Sequence, residues 1–269
     1  MLRLPAVAGQ FYPADADALS EMLSELIPSV SPTDKTDAIA AVSPHAGYIY
    51  SGGVAGETFA GINIPEDVII LGPNHHGIGP PLALMDKGEW ETPLGRVPVN
   101  SDLAALLIKH SDVIEADESA HESEHSIEVQ VPFLQKLQPS LRITPIVVSR
   151  IPVETCLQIG KEIASAIKEY GKSVLILAST DMTHYESRSS ATRKDKYALD
   201  RILSLDPEGL YDSVMRMKIS MCGIIPTTIA LSAALDLGAT NAELVRYTDS
   251  GETSGNENRV VGYAGFIIS

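Results

Sequence analysis

Three short, strongly apolar runs each give way to a polar turn rich in histidine or aspartate, and this pattern constrains the fold more than any other feature of the chain. Ala38-Ile39-Ala40-Ala41-Val42 leads to Ser43-Pro44-His45-Ala46-Gly47, and Val68-Ile69-Ile70-Leu71 leads to Gly72-Pro73-Asn74-His75-His76-Gly77. Val174-Leu175-Ile176-Leu177-Ala178 runs into Ser179-Thr180-Asp181-Met182-Thr183-His184. Short apolar runs bounded by Gly, Pro and Ser read as strands buried on both faces, which is the signature of a largely parallel sheet. Ligands of such sheets bind just beyond the carboxyl ends of the strands. The same edge would therefore collect His45, one of the pair His75 and His76, Asp181 and His184, a set suited to metal binding or proton transfer.

The rest of the chain alternates in the same manner, which predicts a layered α/β architecture in one domain spanning residues 1–269. Apolar spacing predicts helices over 14–28, from Ser101 to Ile108, over 153–169, and from about 190 to 237 with breaks near Asp206-Pro207 and Cys222-Gly223. Residues 82–99 read as a local β-excursion, and 142–148 as a strand whose Pro145 puts it at an edge or a bulge. The last strands are expected at 243–247 and 260–268.

A formal net charge of −15 argues against a nucleic-acid partner, which needs clustered Lys and Arg. No run approaches the roughly 18 apolar residues of a membrane helix, and no signal peptide is evident, so a cytoplasmic location is expected. With only Cys156 and Cys222 present, a disulfide framework is not expected. Cys156 reads as a small buried hydrophobe. Cys222, followed by glycine and soon by proline, reads as a thiol at a helix start, where the dipole would favour thiolate.

Each candidate has a plain structural alternative. His45 would otherwise be a hydrogen-bonded turn residue, and Asp181 a helix cap beside a surface histidine. Because adjacent side chains diverge, only one of His75 and His76 can face a given site. Asp181 is expected to set the tautomer of His184. His121-Glu122-Ser123-Glu124-His125 matches the H-E-x-x-H pattern of zinc proteases, but Pro132 argues against a long helix through it. His125-Ser126-Ile127-Glu128 is an alternative source of a histidine and a carboxylate for the cleft.

Taken in order, Arg3-Leu4-Pro5-Ala6-Val7-Ala8-Gly9-Gln10-Phe11-Tyr12-Pro13, Pro44-His45-Ala46-Gly47-Tyr48, Leu71-Gly72-Pro73-Asn74-His75-His76, Glu124-His125-Ser126-Ile127-Glu128, Ser179-Thr180-Asp181-Met182-Thr183-His184, Met221-Cys222-Gly223 and Val260-Val261-Gly262-Tyr263-Ala264 resemble the Memo family. The resemblance implies a single α/β domain similar to the class III extradiol, ring-opening dioxygenases, which bind Fe(II) with two histidines and a carboxylate. Residue by residue, it implies a metal on His45, His76 and Cys222, with Asp181, His184 and His125 lining the pocket and His184 as acid/base. A thiol in place of the dioxygenases' glutamate makes the site softer, so copper and zinc compete with Fe(II). Three functions follow as expectations: a metal-dependent redox enzyme acting on a small molecule, a non-enzymatic module that binds a peptide or anion in the inherited pocket, and a zinc hydrolase using His121, Glu122 and His125.

Overall fold

Val68, Ile69, Ile70 and Leu71 are all inaccessible to solvent. Successive strand residues point to opposite faces, so a run that is apolar throughout needs cover on both sides. The computed structural model describes all 269 residues and supplies that cover. Its main sheet contains β1 (Ala40–Ser43), β2 (Asp67–Pro73), β3 (Leu82–Leu84), β4 (Ile114–Ala116), β5 (Arg142–Val148), β6 (Val174–Ser179), β7 (His184–Glu186), β8 (Ala242–Asp249) and β9 (Val260–Ile268). In space the order is β7-β9-β1-β6-β2-β5-β3-β4, with β8 paired to the other side of β9. The central four strands, β1-β6-β2-β5, are parallel, whereas β9 and β3 join them antiparallel. The expected parallel sheet is thus the centre of a mixed one.

The alternation sorts side chains into two cores. Ala40, Val42, Ile69, Leu71, Ile176 and Ala178 face one layer. This layer holds α3 (Ser101–His110), α5 (Val153–Tyr170), α6 (Arg188–Leu203), α7 (Pro207–Met217) and α8 (Ile224–Asp236). Ala41, Val68, Ile70, Leu175 and Leu177 face the other, built on α1 (Ala16–Leu26), α2 (Tyr48–Ala60) and α4 (Val131–Leu137). No helix is long and apolar enough to cross a membrane.

Local chemistry refines the expected boundaries. Asn100, not Ser101, caps α3 by accepting the Leu103 N–H at 3.1 Å. The stretch from 190 to 237 divides into three helices; Leu205 takes a positive φ of 52°, and Asp206 then caps α7 by accepting the Gly209 N–H at 2.8 Å. The excursion at 82–99 also divides: Leu82–Leu84 joins the main sheet, while the hairpin Glu89–Thr92 and Gly95–Pro98 pairs with Leu2–Arg3. Pro145 lies in an interior strand. It sits where the antiparallel pairing runs out: the Met85 N–H still donates to the Pro145 carbonyl at 3.2 Å, and the regular register of β3 stops at Ile146, so only the last rung lacks the proline's N–H.

Glu128 does not enter the cleft as the sequence suggested. It is fully buried, pairs with Arg3, and accepts the Ala6 N–H at 2.8 Å, the Val7 N–H at 3.0 Å and the Tyr12 hydroxyl at 2.5 Å. One carboxylate thereby fastens the first twelve residues, including Phe11, beside the segment that carries His125. Removing one partner of a buried pair leaves the other charge uncompensated, at about 3–5 kcal/mol. Glu128→Ala should lose stability on that scale in denaturant unfolding and expose the amino-terminal segment to limited proteolysis. Unchanged stability and cleavage would show that this network is dispensable.

Candidate metal centre

The sheet edge gathers the turns as the strand pattern requires, because β1, β6, β2 and β5 are neighbours with Ser43 opposite Ser179 and Pro73 opposite Val148. Two glycines allow other segments to close over it. A Cβ on Gly72 would come within 2.5 Å of Ser126 Oγ, and one on Gly223 within 2.4 Å of the Ser179 carbonyl. Glycine at these positions lets the loop carrying His125 and the start of α8 carrying Cys222 sit directly on the strand ends.

His45, His75 and His125 converge, one ligand nitrogen from each lying within 4.8 Å of the other two. The His75 and His125 rings stack at 4.6 Å, and His45 meets both edge-on at 5.3 and 5.6 Å. The surrounding hydrogen bonds fix the tautomer of His45. Ser179 Oγ has one proton, which it gives to the Ser126 carbonyl at 2.6 Å. It accepts from Gln130 Nε2 at 2.8 Å, and that amide is itself oriented by donating to the Pro44 carbonyl. His45 Nδ1, 2.9 Å from the same hydroxyl, must therefore be the protonated nitrogen, which leaves Nε2 with a free lone pair. Burial, reinforced by His125 and His75, holds the His45 pKa well below its ordinary value.

Glu124 does for His75 what Ser179 does for His45. Its carboxylate accepts His75 Nδ1 at 2.8 Å, the His75 N–H at 2.7 Å and the Ser126 N–H at 2.9 Å. Burial opposes its ionisation, yet the His75 contacts and the backbone donors together bring its pKa down to about 2. An ionised acceptor leaves His75 with Nδ1–H and its other nitrogen free. His125 lies 3.6 Å from the same carboxylate, and burial lowers its pKa to about 4.

His76, which the resemblance assigned to the metal, lies outside this cluster. Both histidines of the pair are exposed, but His76 Nε2 donates to the Ser123 carbonyl at 2.9 Å, whereas His75 Nδ1 is held by Glu124. The Asn74 carboxamide accepts the N–H groups of His76 and Gly77, forming a turn that sends the second histidine outward and the first inward.

Cys222 reaches the site through His45, its Sγ 3.2 Å from Nε2. Because Nε2 is unprotonated, the thiol donates. Burial, with the nearby Asp181 charge, pushes the Cys222 pKa up, so the helix-dipole expectation of a thiolate fails in the protein alone. Asp181 does not orient His184. Its Oδ1 accepts the His45 N–H at 2.8 Å and so holds the turn of β1, and burial raises its pKa. His184 Nδ1 is fixed instead by the carbonyls of Met182 at 2.8 Å and Ser220 at 2.9 Å, which leaves Nε2 as its free base. Both residues line the cleft of about 270 Å³ that holds the three histidines, beside Phe11, Tyr185 and Tyr263.

His121 is buried elsewhere, with Nε2 donating to the Ala83 carbonyl at 3.0 Å and the ring against Trp90. Its segment forms a one-turn 3-10 helix, so His121 and His125 do not share a helical face and the zinc-protease pattern is not realised. Cys156 is fully buried and its pKa is pushed up to about 12 by burial, as expected of a small hydrophobe.

These features define an α/β protein with an imidazole-rich centre at the carboxyl edge of its sheet. The chain belongs to the Memo family: the model described as "Memo-like protein" matches residues 3–267. A MEMO1 family protein of Pyrobaculum arsenaticum is 44% identical over 99% of both chains. One of Methanopyrus kandleri is 41% identical over 100% of this chain and 99% of its own. An uncharacterized protein of Escherichia coli K12, 12% identical, shares the fold with a TM-score of 0.56 over 85% of this chain and 98% of its own.

Outer partners of ligating histidines typically carry about 10- to 100-fold of metal affinity. Ser179→Ala, which frees His45 Nδ1, should weaken metal binding by that factor with the fold intact; isothermal titration yielding the wild-type affinity would contradict the tautomer assignment. The metal-free protein should also lose stability as pH falls from about 6.5 toward 4. In that window the unfolded chain protonates imidazoles at their ordinary pKa of about 6.5 while native His125 stays neutral to about 4. Melting temperatures in the presence of a chelator should therefore fall less between pH 7 and pH 5 for His125→Gln than for wild type, and equal falls would contradict the assigned shift.

Proposed function

We propose that this chain binds a transition metal, Fe(II) in our reading, at the histidine cluster and acts as an oxidoreductase on a small substrate. The observation that carries the reading is the convergence of three imidazoles, two of them held by Ser179 and Glu124 with Nδ1 protonated, so that the other nitrogen carries the lone pair. That arrangement fits a metal, because ligating histidines present one nitrogen and tie down the other. His45 and His75 would be its fixed ligands, with His125 and Cys222 completing the donor set. Imidazole and thiolate donors suit iron, copper and zinc alike, so ligand softness leaves copper and zinc as competitors. Bound Fe(II) would supply a one-electron redox couple.

The chain's own residues prepare the rest. His184 lines the cleft and would act there through Nε2 as the acid/base, while the two carbonyls on Nδ1 keep the ring from turning. Phe11, Tyr185 and Tyr263 give the cleft aromatic faces against which a flat substrate can rest. The alternative of anion capture at this site is disfavoured by Glu124 and Asp181, two buried acidic side chains next to the imidazoles.

Metal analysis after anaerobic loading tests the reading. His45→Ala and His75→Ala should abolish stoichiometric Fe(II) binding, Cys222→Ser and His125→Gln should weaken it, and His76→Ala should leave it unchanged. His184→Ala should retain the metal and lose turnover about 100-fold, the usual contribution of a positioned acid/base, in oxygen uptake against a panel of catechols, thiols and phenols. Metal loss in His76→Ala but not in His75→Ala would overturn the ligand assignment. Wild-type oxygen uptake equal to that of free iron across the panel would overturn the redox reading.

A further inference from the structure

A second cleft shares Cys222 with the histidine site but differs from it in character. It measures about 400 Å³, near the low end of ligand-binding clefts. Its walls are Val148 at the end of β5, Val214 of α7, Ile219 and Met221 of the following loop, and Ile224 and Ile225 at the start of α8. Cys222 forms part of the wall, while its Sγ contacts His45 Nε2 in the neighbouring cleft. The two charged residues that line it are Arg150 and Lys218, both exposed.

The charge pattern is selective. Acidic residues outnumber basic ones 35 to 20 in the chain, yet none lines this cleft. Arg150 and Lys218 take part in no ion pair, although half of the chain's basic residues do. Arg150 Nη2 instead rests against the Met215 sulfur at 3.6 Å. An apolar cavity with two uncommitted cations selects a ligand that has a hydrocarbon body and one anionic end.

The remaining donors choose among anions. A phosphate group needs several converging N–H groups. Here the Asn74 carboxamide is committed to the Ile78 carbonyl and Ser149 Oγ, the Ser149 N–H to the Pro81 carbonyl, and the Ile219 N–H to the Val214 carbonyl. Pro226 removes a further N–H from the first turn of α8. The N–H groups of Ile224 and Ile225 in the first turn of α8 are left without a protein acceptor; together with the two cations and the aliphatic walls, this small donor set suits a carboxylate, with its two oxygens.

We propose that this cleft binds a small carboxylate carrying an apolar body, of the size of an arylalkanoate or a short fatty acid. The site is independent of the metal reading, because its groups are present whether or not the histidines hold an ion. The probe is 3-phenylpropionate, compared with 3-phenylpropanol and inorganic phosphate, titrated into metal-free protein and followed by amide chemical shifts. The carboxylate should shift residues 148–150 and 214–225, and bind about 2- to 30-fold tighter than the alcohol, the range that two weak exposed ion pairs together supply. The double variant Arg150→Ala/Lys218→Ala, altered only at exposed positions, should abolish that preference, and Ile224→Trp should block both ligands with the melting temperature preserved. Equal affinity for carboxylate and alcohol, a preference that survives in the double variant, phosphate competing as well as the carboxylate, or shifts centred on His45 and His125 instead would each overturn the proposal. Failure of Fe(II) to bind in the separate metal titration would leave these outcomes unaffected, so the two readings fail distinguishably.

Discussion

The single proton of Ser179 Oγ governs the geometry of the centre. Placed at the last position of β6, that hydroxyl gives its hydrogen to the Ser126 carbonyl and receives bonds from Gln130 and His45. Three segments distant in sequence therefore meet on one atom: the turn after β1, the loop carrying His125, and the end of the central strand. A hydroxyl can donate only once, so the arrangement has one consistent proton assignment, and that assignment leaves His45 Nε2 free. The full burial of Ser179, and the Pro44 carbonyl that orients Gln130, keep this pattern from relaxing to another.

Around that atom the site is built from imidazoles and buried acids, which is an expensive combination unless each group is satisfied. Glu124 is satisfied by two backbone N–H groups and an imidazole, and Asp181 by the backbone of the β1 turn. The same turns serve as scaffold and as chemistry. Their glycines, Gly72 and Gly223, are where overlying segments approach the strand ends too closely for any side chain. Cys222 stands at the junction of the two clefts, one lined by histidines and aromatic rings and the other by aliphatic residues and cations.

The strands and their shared edge were legible in the sequence because a run such as Val68–Leu71, apolar at every position, is compatible only with burial on both faces. His45, His125, Asp181, His184 and Cys222 all come to that edge. What the sequence could not convey was direction and partnership. Adjacent His75 and His76 carry the same chemistry, and only the turn closed by Asn74 decides that the first points inward. The Asp181-x-x-His184 spacing suggested a carboxylate–imidazole pair, but the chain continues into β7 and the backbone carbonyls of Met182 and Ser220 take the role assigned to Asp181. Glu124 sits inside a zinc-protease pattern, where attention falls on Glu122. Its function depends on a contact 49 residues away, which no local spacing reveals. Glu128 was visible as a carboxylate near His125, but its partners Arg3, Ala6, Val7 and Tyr12 lie more than a hundred residues away.

The most direct test of the centre is nitrogen-15 NMR of the imidazole rings, which distinguishes Nδ1–H from Nε2–H tautomers, recorded before and after addition of diamagnetic Zn(II). The geometry predicts His45 as the Nδ1–H tautomer in the metal-free protein, with large shifts on metal addition at the unprotonated nitrogens of His45 and His75 and none at His76. A protonated Nε2 on His45, or metal-induced shifts at His76 in place of His75, would contradict it.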